Sequence, residues 1–350
     1  MSSKDPRNTD INSICIVRLS AIGDVTHMLP IIHSIQKFRP GTKITWIIGK
    51  TEYKLVGDLE NVEFIQFNKS LGVKAYQQVL TKLGRRKFDV LLACQVSLRA
   101  NILTALISAK RKIGYNKSRA KDLHTLVINE KITPAENHVV DSFFQFIEHI
   151  GISHKKFDWS LPIPTEAHEF AQAHIPKDKL VLAISPCSSH PLRNWNVQSY
   201  IDVANYAIEK HSMHIVLLGG HSDLEREFGD KISAQLKQPP TNLIGKDTLK
   251  KLLAILQHCT ALLTPDSGPA HMATCVNTPV LALHAASNSQ RSGPYLSQPW
   301  CIDKYSDASQ LYFNKPAEQI KWGTKIEKPG VMNLITPEDV IIKLDKLLQA

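Results

Sequence analysis

The chain of 350 residues contains no apolar run approaching the roughly 18 residues that a membrane span requires. Its opening stretch, MSSKDPRNTDINS, is polar and has no apolar signal-peptide core. Both features lead us to expect a cytoplasmic protein. Only six cysteines are present (Cys15, Cys94, Cys187, Cys259, Cys275 and Cys301), and no two form a CxxC pair. A disulfide framework and a zinc site are thereby disfavoured, and the thiols read as reduced packing residues. There is no complete GxGxxG, which removes the main support for a nicotinamide dehydrogenase. No P-loop, HExxH or Asp-x-Asp occurs either. The usual anchors for ATP hydrolysis, zinc proteolysis and metal-bridged sugar nucleotides are missing, so an enzyme with this sequence is expected to work without metal.

What remains is an ordinary globular composition, 43% hydrophobic and 21% charged, at a length suited to two domains. The net charge of +10 is unevenly spread. Residues 1–175 hold 24 Lys/Arg against 16 Asp/Glu, whereas the remainder holds 18 against 16. Ten cations lie between Arg85 and Lys121, opposed only by Asp89. Such a stretch suits an acidic partner: nucleic acid, phospholipid head groups or a phosphorylated glycolipid. A plain solvated surface is the simpler alternative. Nucleic acid is disfavoured because aromatics are 7% of the chain and only Phe88 and Tyr115 interrupt the stretch, leaving little to stack on bases.

Along the chain, ICIVRL (Ile14–Leu19) reads as a buried strand, Ser20 to Gly23 as a small-residue loop, and Met28, Ile31, Ile35 and Phe38 as an apolar helical stripe. Strand patterns follow at Ile44–Ile48 and Asp89–Cys94, with helical ones at Tyr76–Lys82, Leu98–Ser108 and Val139–Ile150. Pro162, Pro164 and Pro176 then break the pattern, which places a linker at 161–178 between domains at 1–160 and 179–335. A second alternating series runs from the strand at Leu180–Ser185 to the strand at Val280–Leu283. Alternating β and α segments predict two α/β, Rossmann-like domains with parallel sheets and a central cleft. Thr336 followed by Pro337, Glu338 and Asp339 predicts a capped final helix over 336–350.

Ligands of such sheets bind beyond the carboxyl ends of the strands, so the loops there hold the candidate chemistry. In Ser20-Ala21-Ile22-Gly23-Asp24, the carboxylate can deprotonate an acceptor hydroxyl or, more commonly for such a residue, cap the helix. Ser188, Ser189 and Arg193 lie in a hydroxyl-rich loop that can surround a phosphate, although an ordinary solvated loop has the same composition. Asp266, Ser267, Gly268 and His271 belong to Pro265–Ala273, where small residues open a helix whose free amides suit a diphosphate. Simple capping by Asp266 and Ser267 and a locally satisfied His271 are the alternative there. LLGG (Leu217–Gly220), followed by Asp223 and Glu225, resembles half of a nucleotide-binding turn whose carboxylate takes ribose hydroxyls.

Taken together, VRLSAIGDVTHMLP (Val17–Pro30), NHVVD (Asn137–Asp141), the Ser185–Trp195 loop, LLGG and PDSGPAHMA resemble glycosyltransferase family 9, the ADP-heptose:lipopolysaccharide heptosyltransferases, over nearly the whole chain. The resemblance implies a GT-B fold with an acceptor domain first, a donor domain second, and a C-terminal helix packing back towards the first. It implies Asp24 as catalytic base. Ser188, Ser189 and Arg193 would hold the diphosphate, Asp266, Ser267, Gly268 and His271 would line the donor site, and Glu225 would bind ribose. Acceptor contacts are expected from Arg18, Arg99, Arg111, Arg119 and Lys121. The implied reaction is inverting transfer of heptose from ADP-heptose to the anionic inner core of lipopolysaccharide, with neither cofactor nor metal, at the cytoplasmic face of the inner membrane through peripheral contact. Another nucleotide sugar and a non-catalytic nucleotide-sugar-binding protein are the alternatives. The sequence departs from the family pattern in having Arg193 where Lys is usual and Asn196 where Pro often stands.

Overall fold

A computed structural model describes residues 11–133 and 138–350; the first ten residues, and with them Asn137 of the NHVVD segment, lie outside the described part. The chain divides into a unit ending at Pro162 and a second beginning at Ile163.

The first unit runs β1 (Ser13–Val17), α1 (Ile22–Thr26), α2 (Leu29–Phe38), β2 (Lys43–Gly49), α3 (Lys50–Val56), β3 (Val62–Phe67), α4 (Val73–Leu83), β4 (Phe88–Leu92), α5 (Leu98–Leu106), β5 (Ala109–Gly114), β6 (Glu130–Lys131) and α6 (Val139–Glu148). Its sheet is parallel in the order β3-β2-β1-β4-β5-β6. Parallel strands are buried on both faces, so β1 reads as a continuous apolar run without alternation. Cys15 and Val17 face the cluster formed by Val79 and Leu83 of α4 and Leu103 of α5. Ile14 and Ile16, pointing the other way, are equally buried. The single helix expected after the first loop is two, because Gly23 lies inside α1 and the chain restarts at Leu29-Pro30, with proline in the first turn where it costs no hydrogen bond.

In the second unit the order is α7 (Thr165–His174), β7 (Val181–Ile184), α8 (Val197–His211), β8 (His214–Leu217), α9 (Asp223–Ser233), β9 (Thr241–Asn242), α10 (Leu249–Gln257), β10 (Ala261–Pro265), α11 (Gly268–Thr274), β11 (Val280–His284), α12 (Ser289–Ser292), β12 (Ile302–Asp303), α13 (Tyr305–Phe313) and α14 (Pro337–Leu348). The parallel sheet is ordered β12-β11-β10-β7-β8-β9. The segment read as a linker contains α7, which packs on α10. Pro162 and Pro164 precede that helix and Pro176 follows it, so the prolines bound a helix here and do not interrupt one. The final helix is capped as its sequence predicts: Thr336 Oγ1 accepts the Asp339 amide at 3.2 Å, and Asp339 accepts the Thr336 amide at 3.0 Å. Val340, Leu344 and Leu347 of α14 enter the second unit's core, against α8.

Both sheets have the classical Rossmann order, in which the chain reverses direction of travel between the first strand and the fourth. These switch points lie between β1 and β4 and between β7 and β10. All six cysteines are buried and free. Burial pushes the Cys94, Cys187, Cys259 and Cys301 thiols up to about 12, so at neutral pH they are inert packing groups. No helix among the described residues is long and apolar enough to cross a membrane.

Candidate functional site

At the first switch point, the loop after β1 is held from several sides. The Leu19 and Ser20 amides donate to Gln95 Oε1, just past β4, at 2.7 and 3.3 Å. Leu19 carbonyl accepts the Gly49 amide at 2.9 Å, and a Cβ on Gly49 would collide with that same oxygen. Arg18 is buried, donates from Nη1 to the Cys94 carbonyl at 2.6 Å, stacks over the Phe143 ring at 5.4 Å, and pairs through Nη2 with Asp24 Oδ2. The Trp46 indole fixes the Arg18 carbonyl at 3.0 Å. Asp24, in the first turn of α1, reaches back to the Ala21 amide only at 3.5 Å. Its chief partner is therefore Arg18, and the cap bond is marginal. Asp24 is 35% exposed, and Oδ1 makes no hydrogen bond among the described residues. That oxygen is open to accept a proton.

The second switch point carries a cluster of charge. Asp266, just after β10, keeps only 10% of its side chain exposed, with Lys325 Nζ at 3.7 Å, His271 Nε2 at 3.9 Å and Arg193 Nη1 at 4.0 Å. Burial alone would raise its pKa, but His284, Lys325, His271 and a hydrogen bond from Ser287 together hold the carboxyl below its usual range. Ser267 does not cap α11 with its side chain; its hydroxyl meets Thr264 Oγ1 at 2.8 Å, and Thr264 is tied to the Ser185 carbonyl at 2.9 Å. Gly268 opens the helix. These bonds lock together the loops of two adjacent strands, β7 and β10.

The loop after β7 closes on itself. Ser188 donates its amide to Asn194 Oδ1 at 2.7 Å and its hydroxyl to the His190 carbonyl at 2.9 Å, while Ser189 stays exposed. Asn196, at the family's proline position, caps α8 by accepting the Ser199 amide at 2.8 Å. Arg193 Nε and Nη2 both reach Glu327 Oε1 at 2.8 Å. Glu225 is wound into the cap of α9: Oε1 accepts the Gly220 amide at 2.7 Å and Oε2 accepts the Ser222 hydroxyl at 2.5 Å. Close to it lies Asp247, whose carboxyl is pushed up to about 7 by burial and further by Glu225, and whose buried Oδ2 has no hydrogen-bond partner.

The cations of the first unit fall into two groups. Arg111 forms a two-point pair with Glu130, at 2.7 Å for each contact, Lys110 pairs with Asp89 at 2.7 Å, and Lys112 donates to the Thr104 carbonyl at 2.6 Å. Arg119 donates to Ser142 Oγ at 2.8 Å and lies over the Tyr115 ring. Arg99 and Lys121 are exposed and carry no ion pair among the described residues. Gln95, Asp247, Lys325 and Glu327 escaped the sequence reading because no local pattern marks them; only folding brings them to the sites.

A family model described as glycosyltransferase family 9 (heptosyltransferase) matches residues 76–320. The lipopolysaccharide core heptosyltransferase OpsX of Haemophilus influenzae is 38% identical over 336 residues, 96% of each chain. Among solved structures, a family 9 glycosyl transferase from Veillonella parvula superposes with a TM-score of 0.79 at 21% identity, covering 97% of this chain and 98% of that one. An Escherichia coli heptosyltransferase with ADP gives 0.72 at 16% identity, covering 96% and 99%.

Proposed function

Since the chain belongs to glycosyltransferase family 9, we propose that it transfers a heptose from ADP-heptose to the inner core of lipopolysaccharide, inverting the anomeric centre without a metal ion. Asp24 is the observation that carries this reading: a carboxylate fixed by Arg18 at a switch point, with one oxygen open. Asp24 takes the proton of an acceptor hydroxyl as that oxygen attacks the anomeric carbon. The bond from that carbon to the diphosphate breaks on the opposite side, and ADP leaves with the electron pair. Arg193, with the Ser188–Ser189 loop and the amides at Ser267 and Gly268, offsets the charge of the leaving diphosphate. Glu225 takes the ribose. The substrate assignment is supported by the relative from Haemophilus influenzae, aligned over nearly its full length. A different nucleotide sugar on the same scaffold is favoured by one observation, the Arg193–Glu327 pair at the usual lysine position.

The acceptor is anionic, and the exposed cations Arg99 and Lys121, with Arg119, meet it where the protein touches the cytoplasmic face of the inner membrane. The test is release of ADP from ADP-heptose, with and without a heptose-deficient lipopolysaccharide, in buffer containing EDTA. Acceptor-dependent release is the expected result. Asp24→Asn should lower turnover about 100-fold or more while leaving donor binding intact; near-normal turnover in that variant would remove Asp24 from the mechanism.

A further inference from the structure

The strap of chain after α13 has no part in the family motifs, and the match to the family model ends at residue 320, before it. Its middle residue, Ile326, is fully buried and donates its amide to the Ala286 carbonyl at 2.8 Å. Two residues earlier, the Thr324 carbonyl accepts the Tyr305 hydroxyl at 2.8 Å. The strap is thus anchored by an apolar side chain and by backbone bonds. The two charged residues flanking Ile326 both reach the donor site: Lys325 lies 3.7 Å from Asp266 and Glu327 lies 2.8 Å from Arg193.

We propose that Lys325 is the cation that meets the donor's diphosphate, while Glu327 stands in for an anion on Arg193 until the diphosphate displaces it. The inference rests on the nucleotide-sugar reading given above. Two donors of the Arg193 fork are spent on one Glu327 oxygen, and its remaining terminal nitrogen sits 4.0 Å from Asp266. The guanidinium is therefore electrically matched before any ligand arrives. Lys325 is different. At 3.7 Å its ammonium is beyond hydrogen-bond distance from Asp266, so its three donors are not committed there, and 36% of the side chain is exposed.

Burial pushes the Lys325 ammonium below the usual lysine range, and Arg193 and Arg291 add to that push against the pull of Asp266 and Glu327. A cation held at this electrostatic cost, beside an acid already served by other groups, is arranged for a further anion. Arg291, whose guanidinium lies against Gly323 at the start of the strap, adds to the same positive field. Arg193 presents a fork, and the compact ammonium comes from the strap.

Calorimetric titration of the full chain with ADP and with AMP, in EDTA, tests the idea on the unaltered protein and on Lys325→Ala, Lys325→Arg and Glu327→Gln. Loss of Lys325 should weaken ADP about 10- to 100-fold, the range of one charge-assisted contact, and weaken AMP much less. Lys325→Arg should recover part of the loss. Glu327→Gln should tighten ADP several-fold, since it frees Arg193. Opposite signs for the two sites are the signature, because a strap with a merely structural role would weaken binding in both. Lys325→Met, which keeps the stem, repeats the measurement if the alanine variant melts early. Unchanged ADP affinity on loss of Lys325, or weaker binding in Glu327→Gln, overturns the proposal. Failure of the unaltered chain to bind ADP overturns the donor assignment itself and this inference with it, whereas ADP binding indifferent to Lys325 overturns only the inference.

Discussion

At the scale of the residue, Arg18 and Lys325 show two different uses of a buried or half-buried cation. Arg18 spans two acceptors, with Nη1 on the Cys94 carbonyl and Nη2 on Asp24. A lysine carries the same charge but presents one nitrogen, so it can satisfy either acceptor and not both at this separation. Arg18→Lys should therefore keep donor affinity and lower turnover about 10-fold, read as a fall in kcat with an unchanged Kd for ADP. If kcat is unaffected, the Arg18 fork does not position Asp24. Asp24, Arg193, Asp266 and His271 were legible in the sequence because each sits in a run of small and polar residues directly after an apolar strand. Lys325 and Glu327 were not, since an isolated lysine and glutamate about 50 residues past the nearest motif look like ordinary surface until Ile326 is seen to pin the strap.

Among the elements, the 3-10 turn His124–Leu126 depends on the protonation of one histidine. His124 is fully buried; its Nε2 accepts the Tyr115 amide at 3.0 Å, so Nδ1 carries the proton and donates to Asn101 Oδ1 at 2.8 Å. Protonating Nε2 would oppose one N–H to another, and burial already lowers the His124 pKa to about 4. A lowered folded-state pKa means that the unfolded chain binds the extra proton first. The stability contribution is complete above about pH 6.5 and is lost as pH falls from there to about 4. Near pH 5 the loss is about 2 kcal/mol. Thermal melting at pH 7 and pH 5 should show it, and His124→Gln should flatten the difference; an equal acid loss in that variant would place the titrating group elsewhere. The same region shows where element boundaries were hard to read. AKRKIG (Ala109–Gly114) looks like a solvated basic run, yet it is strand β5, its charges absorbed by Asp89, Glu130 and the carbonyl end of α5. Apolar periodicity found the central strands and the long helices; it missed β5, whose pairing with β4 is a tertiary fact, and α7, whose flanking prolines mimic a linker.

For the whole molecule, the uneven charge becomes an argument about where the protein works. Among the exposed cations of the first unit that carry no ion pair among the described residues, Arg99 and Lys121 lie beside a stripe of exposed apolar side chains. Leu98, Ile102 and Leu106 recur every four residues along one side of α5. Leu123 and Leu126, 67% and 75% exposed, lie on the neighbouring turn, which bonds to α5 through Asn101 and through the Leu98 amide to Asp122. A second copy of the chain would bring like charges together at this face, whereas an anionic bilayer satisfies both the cations and the leucines. Attachment to vesicles containing anionic lipid should therefore have two parts. Raising salt should remove the share owed to Arg99 and Lys121, roughly fivefold for each charge, and Arg99→Glu with Lys121→Glu should reproduce that loss at low salt. A residue of binding should survive high salt and vanish in Leu123→Ser with Leu126→Ser, because burial of apolar surface is not screened by ions. Binding abolished by salt alone would leave the leucines without a role at the bilayer. Binding indifferent to salt would detach the basic residues from it, and the acceptor would then have to reach Asp24 without help from a charged surface.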